Sequence, residues 1–167
     1  LLLGISLQGQ TDNFVYFNKV YWHPDTMQIL SQVVRPIDDG YLVLGGYKSL
    51  LNEGLYILKI DFKGDLVWFK HIDEGPEVGV VEDGKFVIAT PDSNFVITYS
   101  TKKPDNLAEM NLSKFTKEGN VLWKKTYTDI SSKFARHVIN TSDNGFIMAG
   151  VQAYEGEGIA RYYLLKT

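Results

Sequence analysis

The stretch Asp61-Phe62-Lys63-Gly64-Asp65-Leu66-Val67-Trp68 returns later in the chain as Thr116-Lys117-Glu118-Gly119-Asn120-Val121-Leu122-Trp123. Both copies contain a polar residue, a lysine, a glycine, Asp or Asn, two aliphatics and a tryptophan. Each follows an apolar run that holds a lysine, Leu58-Lys59-Ile60 or Ser113-Lys114-Phe115, and Tyr162-Tyr163-Leu164-Leu165-Lys166 begins the same phrase again. A second anchor lies upstream of each run. Gly40 precedes Tyr41-Leu42-Val43-Leu44-Gly45-Gly46, Asn94 precedes Phe95-Val96-Ile97-Thr98-Tyr99, and Gly145 precedes Phe146-Ile147-Met148-Ala149-Gly150. These anchors are spaced by 54 and 51 residues, and Lys59, Lys114 and Lys166 by 55 and 52. Two independent markers in step establish an internal repeat.

Each repeat resolves into short segments rich in Val, Ile, Tyr and Phe, the residues that suit a pleated, covered surface. First strands are expected at residues 32–36, 85–90 and 136–140, and second strands after each anchor. Third strands are expected at 55–60, 112–115 and 162–166, and fourth strands at 66–72 and 121–127. Runs such as Leu55-Tyr56-Ile57-Leu58 are apolar at consecutive positions, which predicts cover on both faces. Gly40, Gly64, Gly119 and Gly145 mark tight hairpin turns, where a missing Cβ admits positive φ. These turns fall on one edge of every sheet. The long, dissimilar connections, residues 22–30, 47–54, 73–84, 101–111, 129–133 and 152–159, fall on the other. Residues 78–88 read as an extra hairpin grafted between two units.

Four-stranded antiparallel sheets repeating about every 50 residues and apolar on both faces predict blades of a β-propeller. An isolated blade cannot hide both faces, so neighbours must do it, with Trp68 and Trp123 wedged between blades. Residues 14–21 read as an orphan fourth strand, with Tyr16, or Phe17 one residue on, matching the tryptophans. The expected organisation is therefore blade 1 at about 31–72, blade 2 at about 85–127 and a partial blade 3 at about 135–167. Propellers close with about four to eight blades. The fold class is thus an all-β partial propeller of about three blades, truncated at both ends, with the missing blades of a longer chain as its first partners.

The chain has 167 residues, 44% of them hydrophobic, with 15 Gly, 5 Pro and no cysteine, so neither a disulfide nor a thiolate site is available. A net charge of −3 with scattered charges gives no nucleic-acid footprint. Residues 1–10, Leu1-Leu2-Leu3-Gly4-Ile5-Ser6-Leu7-Gln8-Gly9-Gln10, read as the tail of a signal peptide cleaved near Gly9-Gln10, which predicts a secreted or cell-surface protein. No apolar stretch is long enough for a transmembrane segment.

No motif for catalysis stands out. His23, His71 and His137 lack partners at metal-ligand spacing, and the acidic turns at Asp38-Asp39-Gly40, Glu82-Asp83-Gly84 and Asp143-Asn144-Gly145 lack the alternating ligands of a calcium loop. No catalytic, cofactor or metal residue is assigned. Binding residues concentrate on loops held by a rigid scaffold. Trp22, His23, Tyr47 and Tyr154, with Lys102 and Lys103, are accordingly the candidate ligand-binding residues, on the long-looped face.

The units Asp39–Gly46 with Leu58–Lys70, Ser93–Tyr99 with Ser113–Lys125, and Asp143–Gly150 with Leu164–Thr167 resemble the blade repeats in propeller-like regions of secreted Bacteroidota proteins. Those proteins often carry a C-terminal sorting domain for type IX secretion. The resemblance covers residues from about 13 to 167 and implies an exported protein without assigned activity. Unit two departs from it at Asn94, Tyr99 and Thr116. A weaker similarity is to quinoprotein-like propellers, in the spacing of Gly64 to Trp68 and Gly119 to Trp123. The alanine and Thr-Gly pair of that motif are absent, so no quinone cofactor is implied. The function expected is a non-catalytic propeller that binds protein or glycan at the cell surface. The alternative is a piece of a propeller hydrolase or lyase.

Overall fold

The computed structural model describes residues 17–21, 28–48, 50, 53–75, 79–80, 86–102, 105, 107–154, 156 and 158–167. Their regular structure is entirely β. The strands are β1 (Gln28–Ile37), β2 (Gly40–Lys48), β3 (Glu53–Ile60), β4 (Leu66–Gly75), β5 (Gly79–Val80), β6 (Phe86–Ala89), β7 (Phe95–Lys102), β8 (Ala108–Phe115), β9 (Val121–Tyr127), β10 (Ser132–Asn140), β11 (Phe146–Ala153) and β12 (Ala160–Lys166). They form three antiparallel sheets, β1-β2-β3-β4, then β7-β8-β9 with β5 and β6 both beside β7, then β10-β11-β12. This is a partial propeller-like arrangement. Among the described residues no helix is long and apolar enough to cross a membrane.

The middle sheet is packed on both faces. Leu42, Leu44, Leu55 and Ile57 of the first sheet meet Val87, Phe95, Ile97, Tyr99 and Phe115 of the second. On its other face Val96, Met110 and Leu112 meet Ala135, Val138, Phe146 and Met148 of the third. Positions equivalent to Leu55 and Ile57 in the third sheet are Tyr162 and Leu164, and these are 99% and 73% exposed. The repeat therefore ends on an apolar face that no described residue covers.

The outer-strand tryptophans lie between sheets. Trp68 stacks on Phe95 at 6.1 Å and donates its indole N–H to the Lys117 carbonyl at 3.2 Å. Trp123 packs against Phe146, with ring centroids 5.9 Å apart. A third such contact brings Phe17 to Tyr41 at 6.4 Å. A Cβ on Gly64 would lie 2.5 Å from the Phe17 ring, just as one on Gly119 would meet Trp68 at 3.2 Å. Phe17 thus occupies the tryptophan position of the orphan segment. Residues 14–16 lie outside the described part.

The tight turns are more uniform than their sequences. Four share one pattern, a three-residue loop closed by two backbone hydrogen bonds, as in Asp61 N to Asp65 O at 2.9 Å and Gly64 N to Asp61 O at 3.0 Å. The left-handed residue is Gly64 or Gly119 between the third and fourth strands, but Ser93 or Asn144 between the first and second. Gly145 was expected to supply that conformation and does not. Its glycine is explained by space, since a Cβ would lie 2.1 Å from the Thr167 carbonyl.

The expected hairpin over 78–88 is also corrected. Both β5 and β6 pair antiparallel with β7, Val80 opposite Thr101 and Phe86 opposite Thr98, so they run in the same direction along one edge. They lie along the edge of β7 that the first strand occupies in the other two sheets. The other first strands carry a register shift at the equivalent point, between Ser31 and Val33 and between Ala135 and His137. One residue is extra there; in the middle sheet five residues separate Val80 from Phe86 in sequence, while only two separate their partners Thr101 and Thr98.

The periodic lysines have a common role. Lys59 pairs with Asp39 at 2.7 Å, Lys114 with Asp92 at 2.6 Å and Lys166 with Asp143 at 2.8 Å. Each third strand is thereby tied to the turn between the first two strands of its own sheet. The Lys114 ammonium and the Thr90 hydroxyl hold the Asp92 carboxyl well below the usual carboxylate range, and Lys166 and Thr141 do the same for Asp143. Lys133 and Ser131 hold Asp129 down to about 2. A carboxylate with a depressed folded-state pKa stabilises the fold above its unfolded value, and that contribution is lost as pH falls through the folded value. The denaturant midpoint is therefore expected to drop between about pH 4 and pH 2, a window set by the unfolded carboxylate value and by Asp129. Urea titrations across that range check this, and Asp129→Asn should flatten part of the drop.

Candidate functional site

The first strands lie where the three sheets come closest, with β6 packed between β1 and β10. Equivalent positions of the three first strands recur in two layers. Val33, Phe86 and His137 stand opposite Leu44, Thr98 and Ala149; Arg35, Ile88 and Ile139 stand opposite Leu42, Val96 and Ile147. An open groove of about 280 Å³ is lined by Arg35, Phe86, Ile88, His137 and Ile139. The Arg35 guanidinium sits 4.3 Å from the Phe86 ring centroid, and the His137 ring lies 3.9 Å from it on a tilted contact. Cation–π contact orients the guanidinium while leaving its N–H fork available. The groove thus offers directed donors beside an apolar floor. Among the described residues no group of three or more His, Cys, Asp or Glu could hold a metal ion.

Two further hollows open between successive tight turns. One, of about 430 Å³, lies between Asp38-Asp39 and the turn at Thr90, Pro91 and Asn94, with Lys117 on its border. The next, of about 220 Å³, lies between Asp92 and Lys114 on one side and Asn140, Thr141 and Asn144 on the other. In the second of these the charged groups, Lys114 and Asp92, already neutralise each other.

The residues singled out on the long-looped face are not assembled into a site by the described part. Trp22, His23 and Lys103 lie outside it. Tyr47 belongs to β2 rather than to a connection, is only 5% exposed, and stacks on His71 at 4.4 Å. Its alternation with Gly45 along a covered strand explains the burial. Lys102 is exposed at the end of β7. Tyr154 is half-buried, receives a hydrogen bond from Gln152 Nε2 at 3.2 Å and lies under Arg161, whose guanidinium is 4.9 Å from the ring. Gln152 also donates to Ser131, which in turn donates to Asp129 at 2.5 Å, so Tyr154 ends a polar chain that orders this edge.

Arg35, Phe86 and His137 were missed as binding candidates. Aligning the first strands on the anchors hides them, since Arg35 stands five residues before Gly40 while Ile88 and Ile139 stand six before Asn94 and Gly145; pairing with the second strands reveals them. Arg35 then falls in register with Ile88 and Ile139, and His137 with Val33 and Phe86. An ionisable side chain where the repeat otherwise puts an apolar one breaks the local rule, and such breaks concentrate at functional positions.

Fold and groove define an all-β, propeller-like protein with its first strands around a shared surface. No protein-family model matches the chain, and no curated protein does. Among solved structures it is similar to an endo-arabinase from Bacteroides thetaiotaomicron VPI-5482, with a TM-score of 0.57 and 11% identity. The match covers 90% of this chain and 60% of the arabinase chain, so the sequence spans well under two thirds of that neighbour. At this identity the likeness concerns the fold alone.

Proposed function

We propose that the chain is part of an exported, non-catalytic β-propeller that binds a glycan or protein at the cell surface or outside the cell. The observation that supports this reading best is the groove on the first strands, where a guanidinium, an imidazole and an aromatic ring from three different sheets converge. Rigid strands hold these groups, as a binding constellation requires. The resemblance to secreted Bacteroidota repeats and the apolar start of the sequence support export, and a further sheet of the same repeat is the natural cover for Tyr162 and Leu164. The second reading is a piece of a propeller hydrolase or lyase, a fold that the endo-arabinase shares.

The two readings separate in paired assays on the full chain. A glycan and peptide array should show saturable binding, while incubation with arabinan and other polysaccharides should release no reducing ends. Sugar release abolished by a single carboxylate substitution would instead establish the enzyme. Binding lost in Tyr154→Ala but kept when the groove is altered would move the site to the long-looped face.

A further inference from the structure

Of the six equivalent positions in the two layers, four carry Val, Phe or Ile and two carry ionisable groups. Arg35 and His137 both border the same ring, Phe86, rather than being scattered around the surface. Beyond these ring contacts neither side chain is engaged by the described residues. Among the described residues, no ion pair or hydrogen bond engages either side chain, whereas the periodic lysines all pair with turn aspartates. A guanidinium left without a carboxylate stands out in a chain of net charge −3, where acidic partners are plentiful.

His137 owes its placement to backbone geometry. The register shift in β10 falls between Ala135 and His137, and the Ala135 N–H donates to Ser100 Oγ at 2.8 Å across the sheet interface. Bulges re-aim the side chain that follows them. Here the bulge is fastened to the neighbouring sheet, so the imidazole is held against Phe86 by more than its own packing. Ile139, 48% exposed, and Ile88 then supply an apolar surface beside the two donors.

We propose that this groove binds the carboxylate of a uronic-acid saccharide. Arg35 offers the planar fork that matches a carboxylate through two parallel hydrogen bonds, and His137 offers a ring N–H to the same anion. The C–H face of the sugar lies against Ile88 and Ile139. A space of about 280 Å³ suits one sugar ring and its substituents better than an extended peptide, which would need several adjoining pockets. This assignment rests on the binding-module reading and names the ligand class for it.

The test is calorimetric titration of the full chain with trigalacturonate, with galactotriose as the neutral match and a glutamate-rich pentapeptide as the acidic non-sugar. Trigalacturonate is expected to bind at least tenfold tighter than either. Arg35→Gln should lose at least tenfold. Arg35→Lys, which keeps charge and stem but lacks the fork, should fall between, so a loss there cannot be ascribed to unfolding. In NMR spectra the Ile88 and Ile139 methyl signals should shift on titration. Equal binding of the neutral sugar, preference for the peptide, or full affinity in Arg35→Gln would each overturn the assignment. A neutral glycan bound independently of Arg35 would sink it and leave the binding-module reading standing. Failure of every array ligand would remove both.

Discussion

Replacing Phe95 by Ala is expected to destabilise the chain by about 4 kcal/mol, within the range for deleting a buried aromatic ring. Phe95 is 2% exposed and lies between Trp68 of the preceding sheet, at 6.1 Å, and Phe115 of its own sheet, at 5.3 Å and nearly parallel. Its loss would open a cavity at the seam between two sheets, where neither can collapse without carrying its strands along. Trp68→Ala should cost somewhat less, about 3 kcal/mol, because the indole is only partly covered. The informative quantity is their coupling. A stacked aromatic pair is worth about 1 kcal/mol beyond the area it buries, so the double variant should cost about that much less than the two single losses together. Urea unfolding of the four proteins measures this. Strict additivity would show that the two rings merely occupy the same region and that the sheets do not lean on one another through them.

Much of this seam was legible in the sequence, because its parts are local. A turn needing a left-handed residue leaves a glycine at Gly64 and Gly119, a buried strand leaves consecutive apolar residues, and the tryptophan keeps its distance from the turn. The periodic lysines were visible too, but their partners were not. Asp39, Asp92 and Asp143 read as turn formers, and only the folded register brings them within 2.8 Å of a third strand. Tyr47 was misplaced for a related reason. It follows two glycines, which look like the start of a loop, yet β2 continues to Lys48 and buries the ring. The groove was hidden because its members come from three units, and their register depends on bulges that composition does not announce.

Gly150→Ala is the second substitution with a large expected effect, and it bears on those bulges. A Cβ there would lie 2.3 Å from the Phe134 carbonyl oxygen and 2.5 Å from Met110 Cε. The first contact is with backbone, so β10 itself must move. Overpacking of this kind costs about 1–3 kcal/mol, and the upper end is expected because β10 is tied to Ser100 through Ala135 at the same point. The middle sheet already contains the natural outcome. Its residue at this position is Tyr99, which has a Cβ, and β5 and β6 are separated there by five residues in sequence where their partners are separated by two. Glycine thus accompanies an excess of one residue in the first strand, and a side chain an excess of three. The account makes a compensatory prediction. Inserting two residues beside Arg136, which raises the excess there from one to three, should be destabilising in the parent chain but should recover about 1 kcal/mol or more of the Gly150→Ala loss. If the two changes simply add in urea unfolding, the Tyr99 substitution and the larger excess are unrelated. If the insertion rescues, one atom at the second strand explains why the middle unit departs from the repeat.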